Sequence, residues 1–143
     1  MRIICDDENK RFELEGRADG VASRCVDALN EAIGRAGVIN ISYEDAAWGL
    51  KNNRAYFGLA QDKELKKAVM SAFDTILSQV DVGRIYGVAI LLNLCGDATL
   101  EKTDAALRGV PVINRDIIVV FSADVDESLT ENTVYVIAAE KQN

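Results

Sequence analysis

The chain has 143 residues, of which 49% are hydrophobic, and it carries a formal net charge of −7. A chain of this length folds as one domain with a sizeable core and needs neither a disulfide nor a metal. The acidic balance argues against a nucleic-acid partner and against an anionic membrane surface. No apolar run approaches the roughly 20 residues of a spanning helix, and Met1 to Asp6 is no signal peptide. We therefore expect a cytoplasmic protein.

Cysteine and histidine usage predicts neither a metal site nor a cofactor. Cys5, Cys25 and Cys95 lie far apart in the sequence, and the chain contains no histidine. Zinc sites and catalytic Cys–His pairs need partners that this sequence lacks. We predict three free thiols in a reducing cytosol. The acidic run Asp6–Glu8 is interpreted as a solvated hairpin turn, because the ligand spacing of a calcium loop is missing.

The first residues read as a pair of short strands, at 2–5 and 11–14, joined by that acidic turn. We interpret residues 1–20 as this strand pair and residues 21–143 as the main domain.

A change of period marks the first helix. Over residues 21–36, apolar residues recur at intervals of three and four, which predicts a helix with one apolar face. Gly37 is a natural residue to end that helix. A second, shorter helix follows, with Ser42 as its predicted N-cap. Glu44 and Asp45 fall in its first turn, where negative charge favours the helix dipole.

The remaining elements are predicted in chain order as a strand at 55–60, a helix at 62–80 capped by Asp62, a strand at 85–94, a helix through Leu107 capped by Asp97 or Thr99, and strands at 115–125 and 133–139. The run Ile117 to Phe121 is apolar at every position, which predicts a strand central in its sheet and covered on both faces. Phe73 and Ile118 are predicted to be core residues.

This order of elements predicts a single α/β (α+β) domain with a four-stranded mixed sheet packed with two to four helices. Two long helices are expected to cover one face of the sheet. The helix at 21–36 or a partner chain is expected to cover the other face.

Three stretches carry recognisable motifs: Gly37–Ala46, Ile85–Gly96 continued by Thr99–Asp104, and Asp124–Leu129 continued by Val134–Ala138. In order, they resemble the "G-L-I-N-V-D-F-A-D-V" synergy loop, the "G-V-L-V-N-I-x-G … L-x-E-V-x" strand and helix, and the "V-D-E-S-L … V-x-V-x-A" ending of FtsZ, the bacterial tubulin-like division GTPase. The chain from about Val21 to Ala139 therefore resembles the carboxy-terminal domain of the FtsZ/tubulin-like family.

The resemblance implies candidate catalytic residues that act only in trans. In the family, two acids of the synergy loop position water against the γ-phosphate that the next subunit binds. On this chain Asn40 matches the family's Asn and Asp45 matches its second acid, but Ser42 stands where the family has its first acid. Asn40 and Asp45 are thus the candidates, with one acid of the pair lost.

The family's own GTP site lies in an amino-terminal domain, on a Gly-rich loop whose amides hold the phosphates. The ten glycines of this chain are scattered singly, with no G-x-G. We therefore expect no enzyme activity from this chain on its own.

The expected function is protein–protein interaction or assembly by a stand-alone FtsZ carboxy-terminal-like domain. Its expected partner is another copy of the chain, in a homo-oligomer, or a filament-forming GTPase of the cell-division type. One alternative is that this chain supplies a synergy-loop acid that activates GTP hydrolysis on a partner chain. Another is a small-ligand-binding or sensory domain that reuses the fold. Met1 and the first strand favour a stand-alone chain over part of a longer one.

Overall fold

The computed structural model describes residues 1–16, 20–34, 39–96, 99–110 and 116–141. The helices of this part are α1 (Gly20–Gly34), α2 (Tyr43–Leu50), α3 (Leu65–Leu77) and α4 (Leu100–Arg108), with a short 3₁₀ helix at Val82–Arg84. The strands are β1 (Ile3–Asp6), β2 (Arg11–Leu14), β3 (Ala55–Asp62), β4 (Ile85–Leu94), β5 (Ile118–Val125) and β6 (Asn132–Glu140).

The centre of the domain is a four-stranded mixed sheet in the order β3-β6-β4-β5. β6 is antiparallel to both of its neighbours, whereas β4 and β5 run parallel. The parallel pair is joined through α4, as a crossover requires. The predicted fold class, a four-stranded mixed sheet packed with up to four helices, is confirmed.

Alternate residues of the two central strands face two separate cores, as the pleat of a strand dictates. On β6, Val134, Val136 and Ala138 pack with α3 and α4. Ile137 and Ala139 point the other way, toward α1, α2 and the β1–β2 hairpin. The first helix therefore covers the second face, as predicted, and α2 and the hairpin share that role with it.

The predicted position of β5 is wrong. β5 is an edge strand paired with β4, not a central one, and Ile118 to Phe121 are only half-buried. Ile118 is therefore not a core residue, whereas Phe73 on α3 is fully buried, as predicted. A continuous apolar run shows that both faces of a strand have partial cover, but it contains no information about how many strands pair with it.

Two of the three predicted helix caps that can be compared are correct. Ser42 accepts a hydrogen bond from the Asp45 amide at 3.1 Å, and Thr99 accepts one from the Lys102 amide at 3.1 Å. Asp62 does not cap α3: it ends β3 and accepts from the Glu64 amide at 2.8 Å, and Glu64 holds the N-cap position without a side-chain bond. Gly37 as a helix stop, Asp97 as a cap and residue 115 as a strand start lie outside the described residues.

The predicted strand pair at the start of the chain is confirmed as β1 and β2, and it packs into the second core through Ile3 and Phe12. Asn30 of α1 fixes it by accepting from the Phe12 amide at 2.9 Å and donating to the Phe12 carbonyl at 3.0 Å. Because an Asn side chain can satisfy both backbone groups at once, this edge strand is fastened to α1 without a further strand.

Candidate functional site

The segment before α2, which the sequence identified as a candidate loop, is held from both sides. Ile39 forms an isolated antiparallel bridge with Ala123 of β5, with both backbone N···O distances at 3.0 Å. Ile41 is buried in the second core, and Ser42 caps α2. The described part of the loop, 39–42, is therefore fixed to the sheet edge and to the helix. Gly37 and Val38 lie outside the described residues.

Asn40 and Asp45, the two candidate catalytic residues, are both exposed. They lie on either side of the Ser42 cap, Asn40 in the loop and Asp45 in the first turn of α2. The Asp45 amide is used by the Ser42 hydroxyl. Within the described part of the chain, no hydrogen bond or ion pair engages the Asp45 carboxylate. That carboxylate is therefore available to a partner.

Trp48 is the most exposed large apolar residue among those described, with 72% of its surface accessible. Residues three and four apart share a face of a helix, so Trp48 lies beside Asp45 and Glu44 on the outer face of α2. Beside it, Tyr86 and Lys141 line an open cleft of about 410 Å³. We refer to Glu44, Asp45 and Trp48 as the α2 outer face.

Sequence reasoning passed over Trp48, although a signal was present. The buried residues Tyr43, Ala46 and Leu50 are spaced at three and four along α2. Trp48 falls off that stripe, so the helical period alone places it toward solvent. Trp is enriched at interfaces, because it joins a large apolar ring system to one polar N–H group, so an exposed indole marks a candidate contact surface.

The inner side of α2 is fastened by the turn between β1 and β2. Asp7 accepts a hydrogen bond from the Tyr43 hydroxyl at 2.7 Å and one from the Lys51 ammonium at 3.0 Å. These contacts join the first residue of α2 and its C-cap residue, Lys51, to one carboxylate. The interpretation of the acidic turn as merely solvated is wrong for Asp7, which has two partners although its side chain is 62% exposed.

These contacts shift the ionisation of the groups that make them. The Tyr43 hydroxyl and then the Lys51 ammonium lower the pKa of Asp7. Burial, and next the bond to Asp7, raise the pKa of Tyr43 well above its ordinary value near 10. Burial also raises the pKa of the nearby Cys5 thiol, which disfavours its reactive thiolate form. The phenol of Tyr43 is therefore a structural hydrogen-bond donor.

Lys10 makes a further contact with the first turn of α2. Its ammonium lies 3.3 Å from a Glu44 carboxylate oxygen and 5.2 Å from the centre of the Tyr43 ring. The backbone N–H of Glu44 itself, followed by Lys10, lowers the pKa of the Glu44 carboxylate. Both partners are more than half exposed, so the pair contributes little stability. The Lys10 ammonium does balance the negative charge of Glu44. Asp45 is therefore the acid of the α2 outer face whose charge has no such partner among the described residues.

The solved structures that this chain resembles include FtsZ and TubZ. An empty FtsZ dimer from M. jannaschii matches with a TM-score of 0.71 and 25% identity, over 85% of this chain and 37% of that chain. A W319Y mutant of M. jannaschii FtsZ matches with a TM-score of 0.68 and 22% identity, over 90% of this chain and 42% of that chain. GDP-form protofilaments of TubZ from Bacillus thuringiensis serovar israelensis match with a TM-score of 0.58 and 13% identity, over 83% and 34%.

The chain therefore has the fold of the carboxy-terminal domain of the FtsZ/tubulin-like family, as its sequence motifs predicted. It spans only 37% to 42% of the length of the two FtsZ structures. No protein-family model matches the chain, and no curated protein matches it significantly.

None of the described helices has the length and apolar character needed to cross a bilayer. Within the same residues, no group of three His, Cys, Asp or Glu side chains is arranged so that it could hold a metal ion.

Proposed function

We propose that this domain acts in protein–protein interaction or assembly through the α2 outer face, either with copies of itself or with a filament-forming GTPase of the FtsZ type. The exposed Trp48 carries the proposal. It is 72% exposed on a helix that is otherwise well packed, beside the loop that resembles the family's synergy loop. Tryptophan is enriched among the residues that dominate binding energy at protein interfaces.

The position of α2 supports this use. Its inner side is fixed by the Asp7 contacts and by burial of Tyr43 and Leu50, so its outer face is a rigid surface. A preorganised surface loses little conformational entropy when a partner binds. The neighbouring FtsZ dimer and TubZ protofilaments are assemblies of proteins with this fold.

Trp48→Ala is the direct test. We expect self-association in sedimentation velocity, or co-sedimentation with an FtsZ-like GTPase from the same cell, to weaken by about 30-fold or more, since an interface Trp of this kind contributes about 2 kcal/mol or more. The thermal midpoint should stay unchanged, because the indole makes few contacts in the free domain.

Leu100→Ala is the matched control. Leu100 is also strongly exposed, at 64%, but it lies on α4, on the opposite face of the sheet. Association should not change in this variant. If the parent and Trp48→Ala associate equally well, the α2 outer face is not the interface. A contact between two copies through a flat two-fold patch elsewhere on the surface would then be favoured.

Asp45 supports a second candidate, in which this chain supplies an acid to GTP hydrolysis on a partner. The carboxylate is exposed in the first turn of α2, and Asn40 precedes it in the same order as in the family's loop. If Asp45 positions water, Asp45→Asn lowers partner turnover by about 10²–10³ without changing the melting temperature. If Asp45 only stabilises α2 through the helix dipole, the same substitution lowers the free energy of unfolding by about 0.3–1 kcal/mol and leaves partner turnover unchanged.

Ser42→Asp sharpens this test in the opposite direction. Aspartate caps helices as well as serine does, so the stability of α2 should be retained. The change restores the acid that the family has at this place in the loop. An increase in partner turnover that depends on Asp45 supports the catalytic contribution, and unchanged turnover in both variants contradicts it.

A further inference from the structure

A second cleft lies on the opposite face of the sheet from α2, between the start of α3 and α4. Its volume is about 320 Å³, which is in the range of small-molecule sites. Leu65, Ala105 and Ala106 supply an apolar part of its wall. The cleft is therefore large enough for a small ligand with an apolar body.

One buried side chain fixes the frame of this cleft. Asn132, which is 4% exposed, accepts from the Cys95 amide at 3.0 Å and donates to the Lys63 carbonyl at 3.0 Å. It thus ties the end of β4 to the start of α3, and both Lys63 and Cys95 line the cleft. The wall of the cleft that runs from the end of β4 to the start of α3 is therefore fixed by a satisfied, buried amide.

Among the described residues that line the cleft, positive charges outnumber negative ones, which is opposite to the balance of the chain. Lys63, Lys66 and Lys102 line it, with Glu64 as the one acid among the described lining residues. Glu64 is itself paired with Lys67 at 3.4 Å. Three ammonium groups around one cleft are unexpected in a chain of net charge −7, and they favour an anion.

The first turn of α3 adds to this preference. Its N-cap residue, Glu64, makes no side-chain bond to the helix, so the first N–H groups are not capped by it. Amides at a helix start favour a negatively charged partner.

We propose that this cleft binds a small phosphate ester, with the phosphoryl group against the lysines and the start of α3 and the organic part against Leu65 and Ala106. A dianion matches three ammonium groups better than a single carboxylate does. The site is separate from the α2 outer face, and its test does not depend on the proposed function.

Phenyl phosphate is the probe, because it combines a phosphoryl dianion with an apolar ring. In an amide NMR titration, we expect saturable shifts at Leu65, Lys66 and Cys95, weaker binding of inorganic phosphate, and weaker binding of phenol. Lys66→Gln/Lys102→Gln should weaken phenyl phosphate binding by about 100-fold, at about tenfold for each charged hydrogen bond removed. Equal binding of inorganic phosphate would overturn the apolar half of the proposal.

Lys141→Gln is the matched control, since it removes one positive charge beyond the other end of β6. It should bind phenyl phosphate as the parent does. An equal loss in this control, or no saturation in the parent, overturns the proposal, because the binding is then non-specific attraction or absent.

Cysteine alkylation by neutral iodoacetamide locates the ligand independently. Cys95 lines the cleft, whereas the similarly half-buried Cys5 lies near Tyr43 on the other side of the sheet. Saturating phenyl phosphate should slow the alkylation of Cys95 and leave the rate at Cys5 unchanged. Equal protection of the two thiols, or no protection of Cys95, contradicts binding in this cleft.

Discussion

At the scale of single residues, the Tyr43–Asp7 hydrogen bond is the contact that links the acidic turn to α2. Tyr43 is 5% exposed, and its ring packs against Phe12 with 5.0 Å between the ring centres. A buried hydroxyl that donates to a carboxylate stabilises the fold only while it keeps its proton. The stability of the protein should therefore depend on pH through this pair.

The sign of that dependence follows from the two pKa shifts. The folded-state pKa of Tyr43 is raised above its ordinary value near 10, so its contribution is complete below that pH and is lost as the pH rises through the folded-state pKa. The pKa of Asp7 is lowered from 3.8, so its contribution is present above that pH and is lost as the pH falls through the folded-state pKa.

We predict that the free energy of unfolding falls with rising pH above about pH 10 in the parent and that Tyr43→Phe flattens this alkaline loss. Urea unfolding followed by circular dichroism, from neutral to alkaline pH, measures both. Tyr86→Phe, at an exposed tyrosine, should keep the alkaline loss of the parent. Identical alkaline profiles for the parent and Tyr43→Phe would show that Tyr43 is not the titrating group.

Local interactions explain which site residues the sequence could predict. The cap by Ser42 and the first-turn position of Asp45 depend on residues three apart, so the sequence alone specifies them. The contact between Asp7 and Tyr43 joins residues 36 apart in the chain. No local pattern encodes it, because it arises only when the hairpin folds back onto α2.

At the scale of elements, α2 is positioned by a contact between two glycines. A Cβ atom on Gly87 of β4 would lie 2.5 Å from the Gly49 carbonyl oxygen. The helix backbone therefore rests directly on the strand, and no side chain fits between them. A similar approach of β3 to α3 occurs at Gly58, where an added Cβ would overlap the Ala72 carbonyl.

We predict that Gly87→Ala lowers the free energy of unfolding by about 1–3 kcal/mol, the usual effect of overpacking. The added methyl group must displace α2, since its nearest neighbours are backbone atoms that cannot rotate away. The displacement of α2 should also change the emission spectrum of folded Trp48 relative to that of the parent. Denaturant unfolding and Trp48 emission measure the two effects.

Gly83→Ala is the control for this experiment. The nearest atom to an added Cβ there is Asp81 Oδ1 at 3.9 Å, which is ordinary contact. Its stability should remain near that of the parent. A Gly87→Ala variant as stable as Gly83→Ala would mean that α2 is not held by the glycine contact.

The two apolar strands show what an element's sequence can and cannot specify. β4 is apolar at almost every position, and it is almost entirely buried. β5 has a similar apolar run but lies at the edge of the sheet, and its first four residues are half-buried. The difference is the number of paired neighbours, which is a tertiary property that neither run contains.

At the scale of the whole molecule, the class and the number of layers were predictable, and the strand order was not. Helical and strand periods are properties of each segment, so they specified helices on a four-stranded mixed sheet. The insertion of β6 between β3 and β4 places the last strand in the centre. The period of a single segment contains no information about which strands pair with each other.

We expect that the purified chain alone neither binds nor hydrolyses GTP, because a triphosphate needs a set of converging amides on a Gly-rich loop, and the ten glycines of this chain stand singly. Isothermal titration with GTP and a phosphate-release assay test both statements. Micromolar binding, or phosphate release above the buffer rate, would contradict the prediction. Lys66→Gln/Lys102→Gln then decides the location: binding retained in that variant lies outside the lysine-lined cleft, and binding lost in it lies within the cleft.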